Sequence, residues 1–97
     1  MSNELRAELA RMEAEISALA AECDLALQDA GVVRTYLEHN EVGVALEHLC
    51  DILIETEADI TEGQCRRILE AAKALGMIKR DPKEWSQRME ALLARVR

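Results

Sequence analysis

Residues 40–57 read Asn40-Glu41-Val42-Gly43-Val44-Ala45-Leu46-Glu47-His48-Leu49-Cys50-Asp51-Ile52-Leu53-Ile54-Glu55-Thr56-Glu57. This stretch decides the fold class. Val42, Ala45, Leu46, Leu49, Ile52, Leu53 and Thr56 recur at the spacing of one helix face, which predicts a helix over about 41–57. Glu47, Asp51 and Glu55 fall four residues apart on the opposite face, with His48 at its edge. Cys50 and Ile54 lie on a flank, so the helix meets neighbours on two sides and is expected at the centre of the fold. Asn40 has the chemistry of its N-cap.

Working outward toward the N-terminus, Leu5, Leu9, Met12, Ile16, Leu19 and Cys23 follow steps of 4, 3, 4, 3, 4. They predict an amphipathic helix over about 3–24, capped by Asn3 and favoured by Glu4 in its first turn. The same rhythm is that of a coiled coil, so a homodimer through this first helix stands beside packing within a bundle. Gly31 interrupts the pattern, and Val33 and Leu37, with Tyr36 beside them, then predict a short helix over about 32–39. Toward the C-terminus, Thr61-Glu62-Gly63-Gln64 is a capping-box pattern. It opens a helix over about 61–75 that turns Cys65, Ile68, Leu69, Ala72 and Leu75 inward, with Gly76 as its stop. Met77 and Ile78 are expected to fold back on the core. Asp81-Pro82-Lys83-Glu84 places a cap, a proline at the first helical position and a glutamate at the third. The last helix is predicted over about 81–96, packing through Trp85, Met89, Leu92, Leu93 and Val96. The expectation is one all-α domain over 1–97, a compact bundle of four main helices plus one short one.

Composition agrees. The 97 residues include 15 Ala and 13 Leu, with one Pro, four Gly and two aromatics, Tyr36 and Trp85. Helix formers dominate and hairpin turn pairs are missing, which excludes a β-barrel or a dinucleotide-binding α/β domain. The net charge of −7 is unevenly placed. Residues 1–62 hold 15 acids and three bases, whereas residues 63–97 hold four acids and nine bases. A field of that sign repels nucleic acid and steers a basic protein toward the acidic half. Cys23, Cys50 and Cys65 are odd in number and without close spacing, so neither a zinc knuckle nor a disulfide framework is written here. With no basic, apolar leader at Met1-Ser2-Asn3-Glu4 and no long apolar run, a cytoplasmic protein without a membrane span is expected.

Chemistry-bearing patterns are sparse. His48 and Cys50, two residues apart on a helix, point to different parts of its surface and make no nucleophile–base pair. Glu41, Glu47, His48 and Asp51 lack the spacing of a metal-binding helix, and no calcium or phosphate loop is present. No cofactor is implied. The carboxylates Glu47, Asp51 and Glu55 face away from the apolar side, so none has the burial that tunes a general acid. The basic residues after 63 could mimic a helix-turn-helix, but the second helix carries Trp85, Met89 and Leu92 as core positions and does not read bases. Direct nucleic-acid binding and catalysis are both disfavoured. Protein binding remains. Its candidate surface is Glu47, Asp51 and Glu55 with His48, together with Glu38, His39 and Glu41 at the helix junction. Tyr36 belongs there either as an exposed anchor or as packing against the central helix.

Tyr36-Leu37-Glu38-His39-Asn40-Glu41, then Gly43-Val44-Ala45-Leu46-Glu47-His48-Leu49-Cys50, and later Ile60-Thr61 and Leu75-Gly76-Met77 resemble the MafI-type family of small immunity proteins. The resemblance spans about residues 25–77. It implies a cytoplasmic antidote of a bacterial polymorphic or contact-dependent toxin system. Such a protein binds the toxin's C-terminal domain, often a ribonuclease, and is not an enzyme. By position, Glu38, His39, Asn40 and Glu41 match the family's turn and Glu47 its Ala-Leu-Glu. The expected function is therefore an immunity protein that neutralises a cognate basic toxin domain through an acidic surface. Three alternatives remain: an acidic helical chaperone or adaptor for a secreted effector, a transcriptional antitoxin, and a simple coiled-coil dimer.

Overall fold

The computed structural model describes residues 3–97, so Met1 and Ser2 lie outside it. Among the described residues there are six helices: α1 Asn3–Glu22, α2 Leu27–Glu38, α3 Val42–Glu55, α4 Glu62–Ala74, α5 Met77–Arg80 and α6 Pro82–Leu93. The chain is all-α, and α3 lies at its centre, touching α1, α2, α4 and α6. Leu46, Leu49, Cys50 and Leu53 of α3 are completely buried, joined by Ile16 and Leu19 of α1, Ile68 of α4 and Leu92 of α6. Removing such side chains from water is the main force holding a chain of this size together.

Two expectations about the helix count are corrected. The second helix begins at Leu27 and has 12 residues, with Gly31 inside it. Nothing lies within 4 Å of where a Cβ on Gly31 would sit, and Thr35 Oγ1 donates to the Gly31 carbonyl at 2.9 Å. Gly31 therefore costs helix propensity without breaking the helix. Its start was illegible because Ala26, the N-cap, makes no side-chain bond, and Leu27 is 85% exposed. The second correction is the single-turn α5, in which Met77 is buried and Ile78 half-buried. Gly31→Ala is expected to raise stability by about 0.5–1 kcal/mol and the melting temperature by several degrees. Thermal unfolding followed by circular dichroism measures it, and a loss of stability would mean that residue 31 is not helical.

Helix ends follow local rules, but not always through the residues foreseen. The Thr61 box is complete: Gln64 N donates to Thr61 Oγ1 at 3.0 Å, and Thr61 N donates to Gln64 Oε1 at 2.9 Å. Asp81 Oδ1 accepts from Glu84 N at 3.2 Å, with Pro82 opening α6. Asn40 does not cap α3, whose N-cap is Glu41 without a side-chain bond. Instead Asn40 closes α2 in the left-handed region at φ +60°. Its N–H donates to Leu37 O at 3.1 Å and Glu41 N–H to Tyr36 O at 2.9 Å, the paired bonds of a Schellman stop. Glu57, at φ +53°, closes α3 in the same way, through Ile54 O and Leu53 O. Gly76, at φ +72°, ends α4 as foreseen. The last helix stops at Leu93, short of 96. There the backbone turns so that Ile60 N donates to Arg95 O at 3.1 Å and Arg97 N donates to Ile60 O at 3.0 Å.

The α1 stripe is graded. Ile16 and Leu19 are buried in the core, Leu9, Met12 and Cys23 are half-buried, and Leu5 is 49% exposed. Ile16 and Leu19 of the stripe that a coiled coil would use lie inside the single chain's core. Asn3, the first described residue, lies within α1 and does not cap it. A clamp holds α1 to α4: Arg67 Nη1 and Nη2 donate to Glu22 Oε1 and Oε2 at 2.7 and 3.0 Å, and Arg67 Nε donates to Glu15. The fork matches a carboxylate's two oxygens. These bonds hold the Glu22 carboxyl below its ordinary value of 4.5 and keep Arg67 protonated. A depressed carboxyl contributes stability above its unfolded value and loses it as pH falls through the folded one. The melting temperature should therefore be level above about pH 5 and decline below it. Arg67→Met should flatten that decline. An unchanged acid profile in the variant would show that the clamp does not report on folding.

Candidate protein-binding surface

The acidic half does not stand apart from the basic half. Arg67 reaches Glu15 and Glu22, Arg95 Nη1 lies 3.7 Å from Glu57 Oε2, and Arg97 Nε lies 3.3 Å from Asp59 Oδ1. The row expected along α3 is divided in the same manner. Asp51 Oδ1 lies 3.5 Å from Nε of Arg88, a residue of α6. Asp51 and Glu47 are half-buried, and Glu55 is exposed about two turns beyond Glu47.

Arg88 was not singled out from the sequence. Its side chain is only 10% exposed. It lies over the Trp85 ring at 4.7 Å, and its Nη2 donates to Glu84 Oε1 at 3.2 Å. Its Nη1 is buried without a hydrogen-bond partner. The legible signals were Trp85 three residues before it and Glu84 four before it, both on its helix face. What sequence does not reveal is that α3 presents Asp51 to the same guanidinium.

Four further carboxylates lie around the junction where the end of α2 meets the start of α3 beside α1. Among the described residues Glu13, Glu38, Glu41 and Glu47 have no ion-pair partner. Glu13 and Glu38 line a shallow cavity of about 330 Å³ between α1 and α2, together with Arg34. Glu41 and Glu47 line another of about 310 Å³ at the head of α3, floored by Leu9, Val42, Leu75 and Met77 and edged by Arg80. Glu38, His39 and Glu41 are exposed. The Nδ1 of His39 lies 2.7 Å from the Thr35 carbonyl oxygen, which accepts its proton. Tyr36 is half-buried and stacks on His48, with ring centroids 4.7 Å apart and planes at 24°. Tyr36 thus packs on the central helix while remaining partly exposed.

Among the described residues Cys50 and His48 form no hydrogen bond to each other. Cys50 is fully buried, and that burial pushes its thiol up to about 12, against the opposing pull of Arg88. The His48 ring belongs to the stack with Tyr36, and Cys50 projects from a different part of the helix surface. Among the described residues no group of three or more His, Cys, Asp or Glu is placed to hold a metal ion. No described helix is long and apolar enough to cross a membrane.

A second feature lies away from these residues. Between α4 and α6 runs an apolar groove with a cavity of about 440 Å³, lined by Leu69, Ile78, Pro82, Trp85, Met89 and Leu93. A second cavity of about 260 Å³ shares Leu69, Met89 and Leu93 with it and extends past Cys65 to Arg66. Leu93, expected in the core, is 60% exposed. α6 ends at Leu93, and the shared apolar face goes to Trp85 and Leu92 instead.

No family model, no curated protein and no solved structure matches the chain. The resemblance of residues 25–77 to the MafI-type family therefore rests on the quoted residues alone.

Proposed function

We propose that the chain is a cytoplasmic immunity protein that binds and neutralises a basic toxin domain, a ribonuclease on the family resemblance, by contact and not by catalysis. The observation that carries the reading is the corner of Glu13, Glu38, Glu41 and Glu47, four carboxylates that form no ion pair among the described residues. Carboxylates left open in this way attract a cationic cleft from a distance and compete with substrate phosphates inside it. Asp51 is occupied by Arg88 and Glu55 lies at the far end of α3, so both count for less than the row in the sequence suggested. Tyr36 and His48 supply a rigid aromatic edge beside the acids.

The test is co-expression with the toxin domain encoded beside the protein, followed by capture and kinetics. A 1:1 complex with the folded domain, loss of its nuclease activity and an association rate at least tenfold slower at about 500 mM than at about 50 mM salt are expected. A rate indifferent to salt removes the electrostatic mechanism. The adaptor reading draws on a different observation, the apolar groove between α4 and α6, and predicts capture of an unfolded effector segment instead.

A further inference from the structure

We infer that α6 is a strap that swings away from α3 as a unit while the other helices stay folded, and that Arg88 sets how readily it does so. Two arginines link one helix to another in this fold, and they do it differently. Arg67 of α4 directs Nε, Nη1 and Nη2 to carboxylates of α1, and its side chain is 36% exposed. Arg88 of α6 is 10% exposed, yet among the described residues none of its hydrogen bonds crosses to α3. Its Nη2 donates to Glu84 and its guanidinium covers the Trp85 ring, both residues of α6 itself. α3 offers only the Asp51 carboxylate, 3.5 Å from Nε, and Nη1 is buried without a hydrogen-bond partner.

The contacts that survive separation decide the balance. Arg88 keeps Glu84 and Trp85 when α6 leaves α3, because all three lie within one helix. Docking therefore takes a cation out of water and returns one loose ion pair. A buried charge so poorly answered weakens the contact it sits in, and an apolar side chain of similar length strengthens it. Trp85 and Leu92 are the buried residues of α6 that hold it against this cost, with Met89 half-buried. Past the end of α6 the chain is tied by the two backbone bonds between Ile60 and residues 95–97, so the helix is hinged there. Opening uncovers thiols that are buried in the closed form. Cys65 of α4 shares a cavity with Met89 and Leu93, and Cys50 of α3 feels the Arg88 charge. None of this depends on the immunity reading.

The test is native-state hydrogen exchange of the full chain by NMR, paired with labelling of Cys50 by dithionitrobenzoate and mass mapping of the product. Amides of residues 86–92 should be protected about tenfold less than those of residues 49–53, and Cys50 should react faster than the whole chain unfolds. Arg88→Met should slow both α6 exchange and Cys50 labelling about fivefold. Asp51→Asn removes the one counter-charge on α3 and should speed both by about the same factor. The opposite signs single out the buried charge, since loss of an ordinary stabilising contact at either position would speed both. Equal protection of α6 and α3 overturns the strap. Faster opening, or loss of the fold, in Arg88→Met overturns the role of Arg88.

Discussion

Leu49→Ala is expected to lower the unfolding free energy by about 3 kcal/mol, within the 2–5 kcal/mol found for buried leucine truncations. Leu49 is completely buried at the middle of α3, the helix that packs against four others. The truncation removes apolar surface from the core and leaves a cavity in its place. Domains of this kind have only about 5–15 kcal/mol in total, so the variant should sit visibly nearer its unfolding threshold. Urea unfolding measures it as a lower midpoint with the slope unchanged. Leu27→Ala is the matched control: the same chemistry at an 85% exposed position should stay within about 0.5 kcal/mol of the parent. Equal effects at the two positions would contradict the placement of α3 at the centre.

Reversing the open corner, Glu38→Lys with Glu41→Lys and Glu47→Lys, should slow association with a basic toxin domain at least tenfold at about 50 mM salt. Asp51→Asn and Glu55→Gln should change the rate less than about twofold. Asp51 already faces the Arg88 guanidinium at 3.5 Å, and Glu55 lies beyond the corner. Stopped-flow mixing separates this from stability, because none of the three reversed glutamates makes an ion pair among the described residues. The opposite ranking, with Asp51 and Glu55 dominant, would restore the row read from α3 alone and displace the corner.

The difference between row and corner shows where sequence reasoning stops. Glu47, Asp51 and Glu55 are equivalent along one helix, because a spacing of four residues says only that they share a face. They become unequal when α6 brings Arg88 against one of them. Glu13, far away in sequence, joins Glu38 only through the packing of α1 on α2. The interior and the C-terminal end of α2 teach the same lesson at short range. Gly31 carries the usual sign of a break, yet the helix runs through it, since burial of Val33 and Leu37 outweighs a propensity loss of about 1 kcal/mol. Asn40 suits both a cap and a left-handed stop, and the chain uses it as the stop.

What the sequence determined by itself is local and periodic: the all-α class, the core face of α3, the Thr61 and Asp81 caps and the Gly76 stop. Hydrogen bonds within one turn and apolar spacing along one helix need no knowledge of neighbours. The tertiary structure alone decided which charges remain open and which apolar residues remain uncovered. Arg67, Arg88, Arg95 and Arg97 each neutralise acids at least 37 residues away in the chain, and Leu93 is left outside while Leu92 goes in. An ion pair or an exposed groove depends on how whole helices meet, and that follows from the packing of the entire core.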